Sequence, residues 1–240
     1  MKSAAFVEFR KRINVFFTSP PIPVWVLRTV ISVLAVGVFW LLRSNYENID
    51  FLAYLEWYPD HLARGVPHVR FDEMWESYIH YAWFVFFNSR FGWTLQQVFH
   101  LTSVISGGIF IFLAQVFSSE VNPKKPYRMF LVLLSGGFMQ LFFGDLECYT
   151  ITGLLTFIYL FVSYLFVKGK APLVLPAFIL ILAMTAHLET IFLVPSLVFL
   201  FIIQVNKREY LPIAISSLVF IGFFSWTLLF FSAAAYLCRE

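Results

Sequence analysis

Residues 44–92 read SNYENIDFLAYLEWYPDHLARGVPHVRFDEMWESYIHYAWFVFFNSRFG, a polar interval in a chain that is otherwise apolar. The interval carries Glu47, Asp50, Glu56, Asp60, Asp72, Glu73 and Glu76, seven of the fourteen acidic residues in the protein. Apolar runs with short, mostly basic connections flank it. Across 240 residues, 60% are hydrophobic and only 13% are charged. A soluble globular domain carries about 25% charged residues, so this composition cannot cover a water-facing surface. The expected class is an all-α polytopic membrane protein that holds one acidic, aromatic-rich segment at a water interface.

Working outward, the apolar runs suit seven transmembrane helices, at residues 24–42, 95–117, 129–143, 149–167, 172–186, 190–205 and 211–237. Ahead of them, residues 1–23 are basic. Arg10, Lys11 and Arg12 lie among apolar residues at 6, 9, 13, 16 and 17, the spacing of an amphipathic helix resting on an anionic leaflet. A solvated positive tail reads the same residues equally well. Pro20, Pro21 and Pro23 stop any helix before the first span. No signal-peptide pattern precedes that span, so it is expected to stay as an anchor. Within the long loop, residues 72–91 form an apolar helix headed by acids, of interfacial or re-entrant type.

The charges sort by side. With the N-terminus in the cytoplasm and seven alternating spans, twelve of the seventeen Lys and Arg residues fall at the cytoplasmic side. Eleven of the fourteen acids fall outside. An eighth span through residues 74–91 would destroy that sorting. The topology places the long loop, the Asp145/Glu147 turn and the His187/Glu189 turn on one external face, which points to a water-filled cleft there.

Several residues there are candidates for chemistry. Glu47 and Asp50, directly after the first span, suit a general base, or a solvated loop exit. Asp72, Glu73 and Glu76 suit binding or catalysis, or simply complement the dipole of the helix they begin. Trp75, Tyr78 and Tyr81 offer stacking faces for a sugar, or an interfacial belt. Asp145 and Glu147 suit a cation or a polar substrate group, or a solvated turn. His187 and Glu189 are candidate ligands of a divalent metal with either of those acids, although no spacing motif supports one. Hydrogen-bonded interfacial groups describe them as well. The cofactor is left open. Cys148 and Cys238 form no metal-type cluster. There is no phosphate-binding glycine loop, dinucleotide fingerprint or HExxH motif, and the basic residues are accounted for by topology without nucleic acid.

In its order of features the chain resembles the GT-C superfamily of membrane glycosyltransferases, of the protein O-mannosyltransferase and aminoarabinose transferase type. A basic N-terminus leads to the first span, a long loop with Glu47 and Asp50 at once after it, Phe71-Asp72-Glu73, an aromatic helix ending at Phe91-Gly92, and a second span. Phe143-Gly144-Asp145-Leu146-Glu147-Cys148-Tyr149, Ala186-His187-Leu188-Glu189 and Leu193-Val194-Pro195-Ser196-Leu197 are similar to span-turn segments of bacterial members. The resemblance implies a polyprenyl-phosphate-linked sugar donor and inverting transfer to an acceptor on the external face. It places the base at Asp50, with Glu47 as substitute, and matches Glu73 to the second loop acid. It calls for a basic residue at the donor phosphate, where Arg64, Arg70 and Arg90 are the candidates.

The chain departs from the family pattern in three places. Glu47-Asn48-Ile49-Asp50 stands where adjacent acids are usual. Met74-Trp75-Glu76 stands where a basic-Pro-Pro segment is usual. Seven spans match the shared core module, whereas full enzymes carry more. A non-catalytic scaffold subunit docked to a partner protein is the alternative expectation. A transporter ranks last, since no matching halves are visible.

Overall fold

A computed structural model describes residues 23–44, 49–63, 70–146 and 149–237, with the side chains of 49, 50, 60–63 and 234–237 excepted. The secondary structure of these residues is helical throughout. The α-helices are α1 (Val24–Leu41), α2 (Ile49–Ala63), α3 (Met74–Phe91), α4 (Leu95–Val121), α5 (Pro126–Leu134), α6 (Thr150–Val167), α7 (Val174–Ala186), α8 (Val194–Asn206) and α9 (Tyr210–Leu237). Three 3₁₀ turns, Phe71–Glu73, Gly137–Phe142 and Leu188–Leu193, join them.

Among the described residues, five helical segments are long and apolar enough to cross a membrane: Val24–Leu41, Leu95–Val121, Thr150–Val167, Leu188–Asn206 and Tyr210–Ala233. Their outward faces carry exposed Leu34, Leu41, Phe192 and Leu218. Apolar surface on that scale is what a bilayer covers. The chain is an integral membrane protein.

Two expected spans take a different form. Residues 129–143 are not one helix: α5 stops at Leu134, and the chain resumes as the Gly137–Phe142 turn. The Ser135-Gly136-Gly137 step explains the break, because glycine costs about 1 kcal/mol in a helix interior. The segment expected at 190–205 begins earlier, with the Leu188–Leu193 turn running into α8 at Val194-Pro195. Proline is accommodated there because the first helical turn has no partner for its missing N–H.

Local signals set the boundaries. α3 ends at Gly92 in the left-handed region, φ 65°, whose amide donates to the Asn88 carbonyl. Two residues later a reciprocal capping box between Thr94 and Gln97 starts α4. α1 and α4 pack closely because Gly107 and Gly108 face α1. A Cβ on Gly108 would stand 2.4 Å from Val36 Cγ2, and one on Gly107 2.7 Å from the Phe39 ring. Small residues at a helix contact are the usual device where no hydrophobic effect drives helices together.

The bundle has two chemically distinct ends. At one, Ser44 N–H donates to the Phe143 carbonyl at 2.8 Å and His100 Nδ1 meets the Gly144 carbonyl at 2.7 Å. The end of α1, the start of α4 and the approach to α6 therefore meet there. At the other, Arg28 Nη2 donates to Ser119 Oγ at 2.8 Å, Lys170 pairs with Glu120, and Lys207 lies over the Phe166 ring at 5.7 Å. Lys124, Lys125 and Arg128 lie on the α4–α5 connection or the start of α5, at that same basic end.

α2 and α3 cover the first end. Phe51, Tyr54 and Tyr58 of α2 are buried with Phe84, Phe99 and Leu146. α3 reaches α6 and α7 at its first turn, while Trp93 beyond its last turn meets Trp40 of α1, with ring centroids 6.5 Å apart. α3 thus lies across the bundle end rather than along it.

Candidate functional site

The site begins with a short run of sequence, Arg70-Phe71-Asp72-Glu73. Arg70 is extended, and the next three residues make one 3₁₀ turn before α3. Ser77, one turn into α3, holds this entry. Its hydroxyl donates to the Glu73 carbonyl at 2.6 Å and accepts the Arg70 amide at 3.3 Å. The result fixes Glu73 pointing inward, where it is only 2% exposed.

Three groups surround the Glu73 carboxylate. Tyr54 of α2 donates its hydroxyl to Oε2 at 2.6 Å. Arg70 Nη1 stands 3.4 Å from Oε1, while Nη2 of the same guanidinium is 3.2 Å from Asp72 Oδ2. His187 Nε2 faces Oε1 at 3.6 Å, close enough for charge attraction and too long for a hydrogen bond. Burial pushes the Glu73 carboxyl up, but His187, the Tyr54 hydroxyl and the Arg70 charge together hold it below the usual carboxylate range.

His187 comes from the break between α7 and the Leu188–Leu193 turn, where its backbone is extended. Its Nδ1 accepts the Glu189 amide at 3.3 Å, which defines the neutral tautomer as Nε2–H, directed at Glu73. Tyr149 packs on the same ring at a centroid distance of 4.7 Å. Burial disfavours the imidazolium, but the facing Glu73, with Glu189 and Glu76, raises His187 above the ordinary histidine range. A charged ring would also carry a proton at Nδ1, against the Glu189 amide. Protonation and the 3₁₀ turn therefore compete.

Arg70, Asp72, Glu73, Tyr149, His187 and Glu189 line an open pocket of about 310 Å³. Beside it an apolar groove of about 360 Å³ passes between Phe138, Leu141 and Phe142 on one side and Thr152, Phe157 and Leu160 of α6 on the other. Tyr149 lines both.

Beneath the pocket, Glu76 is fully buried and belongs to a different helix in its chemistry. Its Oε1 accepts the Ile151 amide at 2.9 Å, and Oε2 accepts the Thr152 amide at 3.0 Å and the Thr152 hydroxyl at 2.5 Å. These are first-turn amides of α6, which lack intrahelical partners, at the positive end of the helix dipole. The acid expected to complement the dipole of its own helix instead caps one 75 residues away in sequence. Burial pushes its carboxyl up to about 8, against the pull of the Thr152 hydroxyl and the two amides. One turn on, His80 donates its Nδ1–H to the Glu76 carbonyl at 2.9 Å and stacks on Phe99 at 4.0 Å. Burial brings His80 down to about 4, so it is neutral.

The fold thus brings together Asp72, Glu73, Arg70, His187 and Glu189 from the sequence candidates. Arg90 is not with them. It lies over Phe86 at 5.0 Å, seventeen residues beyond Glu73, about 25 Å along α3. Asp145 sits on the turn held by His100 and is not in the pocket lining. Glu47, Arg64 and Glu147 lie outside the described residues, as does the Asp50 side chain; the Asp50 backbone is in the first turn of α2, one turn before Tyr54. Trp75 stacks on Trp226 and Phe230 of α9, with centroids 5.8 Å from each. No group of three or more His, Cys, Asp or Glu is placed to hold a metal ion among the described residues.

Tyr54, Tyr149 and Thr152 escaped the sequence reading. Tyr54 had a signal: it stands four residues after Asp50, on the same helical face. Tyr149 and Thr152 had none, since their partners are remote in sequence. Comparison with family models, with characterised proteins and with solved structures found no match.

Proposed function

We propose that the protein is a membrane glycosyltransferase of GT-C type that moves a sugar from a polyprenyl-phosphate donor to an acceptor at the pocket end of the bundle. The observation that carries this reading is Tyr149, which lines both the polar pocket and the apolar groove at the bundle's side. A substrate with a charged phosphate and a long hydrocarbon tail needs both environments in contact. The groove takes the prenyl chain, and the pocket takes the phosphate and sugar.

Arg70 is then the donor-phosphate residue among the three candidates, because its guanidinium lines the pocket and Arg90 is far away. Glu73 and Asp72 hold that guanidinium in place. Glu73 is a poor base, being kept ionised by its three partners, and is better suited to positioning Arg70 and His187. Asp50 is the base. The acceptor oxygen attacks the anomeric carbon, the bond from that carbon to the phosphate oxygen breaks, and the electron pair leaves on the polyprenyl phosphate. The acceptor proton passes to Asp50, and configuration inverts.

The same reading includes seven membrane crossings with the basic end in the cytoplasm. α5 with the Gly137–Phe142 turn supplies the third, at about 25 Å. α7 supplies the fifth, at about 20 Å for thirteen residues. The contacts at the two bundle ends alternate accordingly.

The test supplies radiolabelled polyprenyl-phosphate sugars to purified protein in lipid. Wild type is expected to transfer label, Arg70→Gln to lose at least tenfold in rate, and Asp50→Asn to lose more. Transfer that is equal in all three would overturn the residue roles. No transfer by wild type from any donor would overturn the enzyme reading. It would favour a non-catalytic membrane subunit, a reading supported by how fully Glu73 and Glu76 are engaged within the fold.

A further inference from the structure

The basic end of the bundle holds a second groove, unrelated to the pocket. It opens between α1, α4 and the start of α5, and is lined by Leu27, Arg28, Ser118, Ser119, Tyr127 and Phe130 among others. Its volume is about 140 Å³. Arg28 lies in the second turn of a membrane-crossing helix, about 6 Å beyond its start. A guanidinium at that depth is costly unless it is paired. Its described hydrogen bond is to a neutral partner, the Ser119 hydroxyl, at 2.8 Å. Glu120, next to Ser119, is the acid whose charge reaches Arg28, but its carboxylate is paired with Lys170.

Ser118 is the second observation. It lines the groove, is 1% exposed, and its hydroxyl makes no hydrogen bond among the described residues. Buried hydroxyls normally have a partner, and an orphan calls for one that is not protein. The groove therefore joins a cation, an unpartnered hydroxyl donor and an apolar wall from Leu27, Ile31 and Phe130. Lys124, Lys125 and Arg128 flank Pro126 and Tyr127 at its rim. That combination is complementary to a phosphate diester bearing hydrocarbon chains.

We infer that this groove is a binding site for one anionic phospholipid, with the phosphate at Arg28 and Ser118 and an acyl chain along Leu27 and Phe130. Charge argues against the basic N-terminal segment as occupant: Arg10, Lys11 and Arg12 share the sign of the groove, and like charges repel.

Native mass spectrometry of the full-length protein in neutral detergent tests this. Added phosphatidylglycerol is expected to give a single tight adduct with about tenfold preference over phosphatidylcholine, the order of one charge-assisted contact. Arg28→Gln is expected to remove that preference while leaving weak phosphatidylcholine adducts unchanged. Leu27→Trp, which fills the groove from its lipid side and keeps Arg28, is expected to abolish the adduct, and decides the matter if Arg28→Gln does not fold. Arg128→Gln, at the rim, is the control and should change little. Equal adducts with both lipids, or full phosphatidylglycerol binding by both groove variants, would overturn the inference. So would displacement of the lipid by millimolar inorganic phosphate, which would mean a site for a free anion. A photo-crosslinker at Tyr127 should capture lipid; capture of residues 1–22 instead would make that segment the occupant.

Discussion

Glu76 concentrates the residue-scale physics. Its carboxyl is the shared acceptor of two amides and one hydroxyl. Glu76→Ala would leave all three buried donors without that partner. The expected cost is about 1–3 kcal/mol, read as a lower thermal midpoint by tryptophan fluorescence at pH 6. The same substitution removes a pH dependence. With its carboxyl up at about 8 in the fold against an ordinary 4.5, Glu76 binds a proton more readily folded than unfolded. Stability from this group is full at low pH and is lost as pH rises through that interval. The wild-type decline between pH 5 and 8 should flatten in the variant; an unchanged slope would contradict it.

Glu73 and His187 give a second pH signature. Glu73 is held below its ordinary 4.5, so its contribution is present above that value and lost as pH falls through the folded one. His187 is raised above its ordinary 6.5, so its contribution is full below that value and lost as pH rises through the folded one. Together the pair contributes most between about pH 4.5 and 6.5. Subtracting the thermal profile of Glu73→Gln from that of wild type should leave a maximum in this window. A flat difference would show that the 3.6 Å approach carries no coupling.

At the scale of elements, the decisive contacts join turns to helices. Gly144 has φ 67°, and a Cβ there would stand 2.5 Å from Arg43 Cβ and 3.0 Å from His100 Nδ1. Gly169 has a similar φ of 70° with nothing within 4 Å. Gly169→Ala should therefore cost only the backbone strain, about 1 kcal/mol. Gly144→Ala should cost at least twice that, since the turn must also move off α1. Equal losses in the two variants would mean that the turn does not lock the end of the first span. The break at Ser135-Gly136-Gly137 belongs to this scale too. It leaves Gly137–Phe142 free to form one wall of the apolar groove, a shape that an unbroken helix would fill.

For the whole molecule, the two ends are the testable feature. With Cys148 and Cys238 replaced by Ser, single cysteines at Lys125 and Lys207 should react with an impermeant maleimide from the cytoplasmic side. Cysteines at Asp72 and Glu189 should react from the other. A common side for Lys207 and Glu189 would break the alternation through α8 and reduce the number of crossings.

The all-helical class and the presence of several long apolar spans followed from composition and order alone. Both depend on transfer free energies summed along a local stretch, and those need no knowledge of neighbours. The polar interval at residues 44–92 was visible for the same reason. What Glu76 does was not, because its partners Ile151 and Thr152 are a whole fold away. Nor could the spacing of Arg70 and Arg90 separate them, although α3 carries one to the pocket and the other to its far end. His187 and Glu73 are 114 residues apart in sequence, and only the crossing of α3 over the ends of α6 and α7 makes them neighbours. Hydropathy is a property of segments, whereas a site is a property of distances between segments, and those distances exist only once the helices have packed.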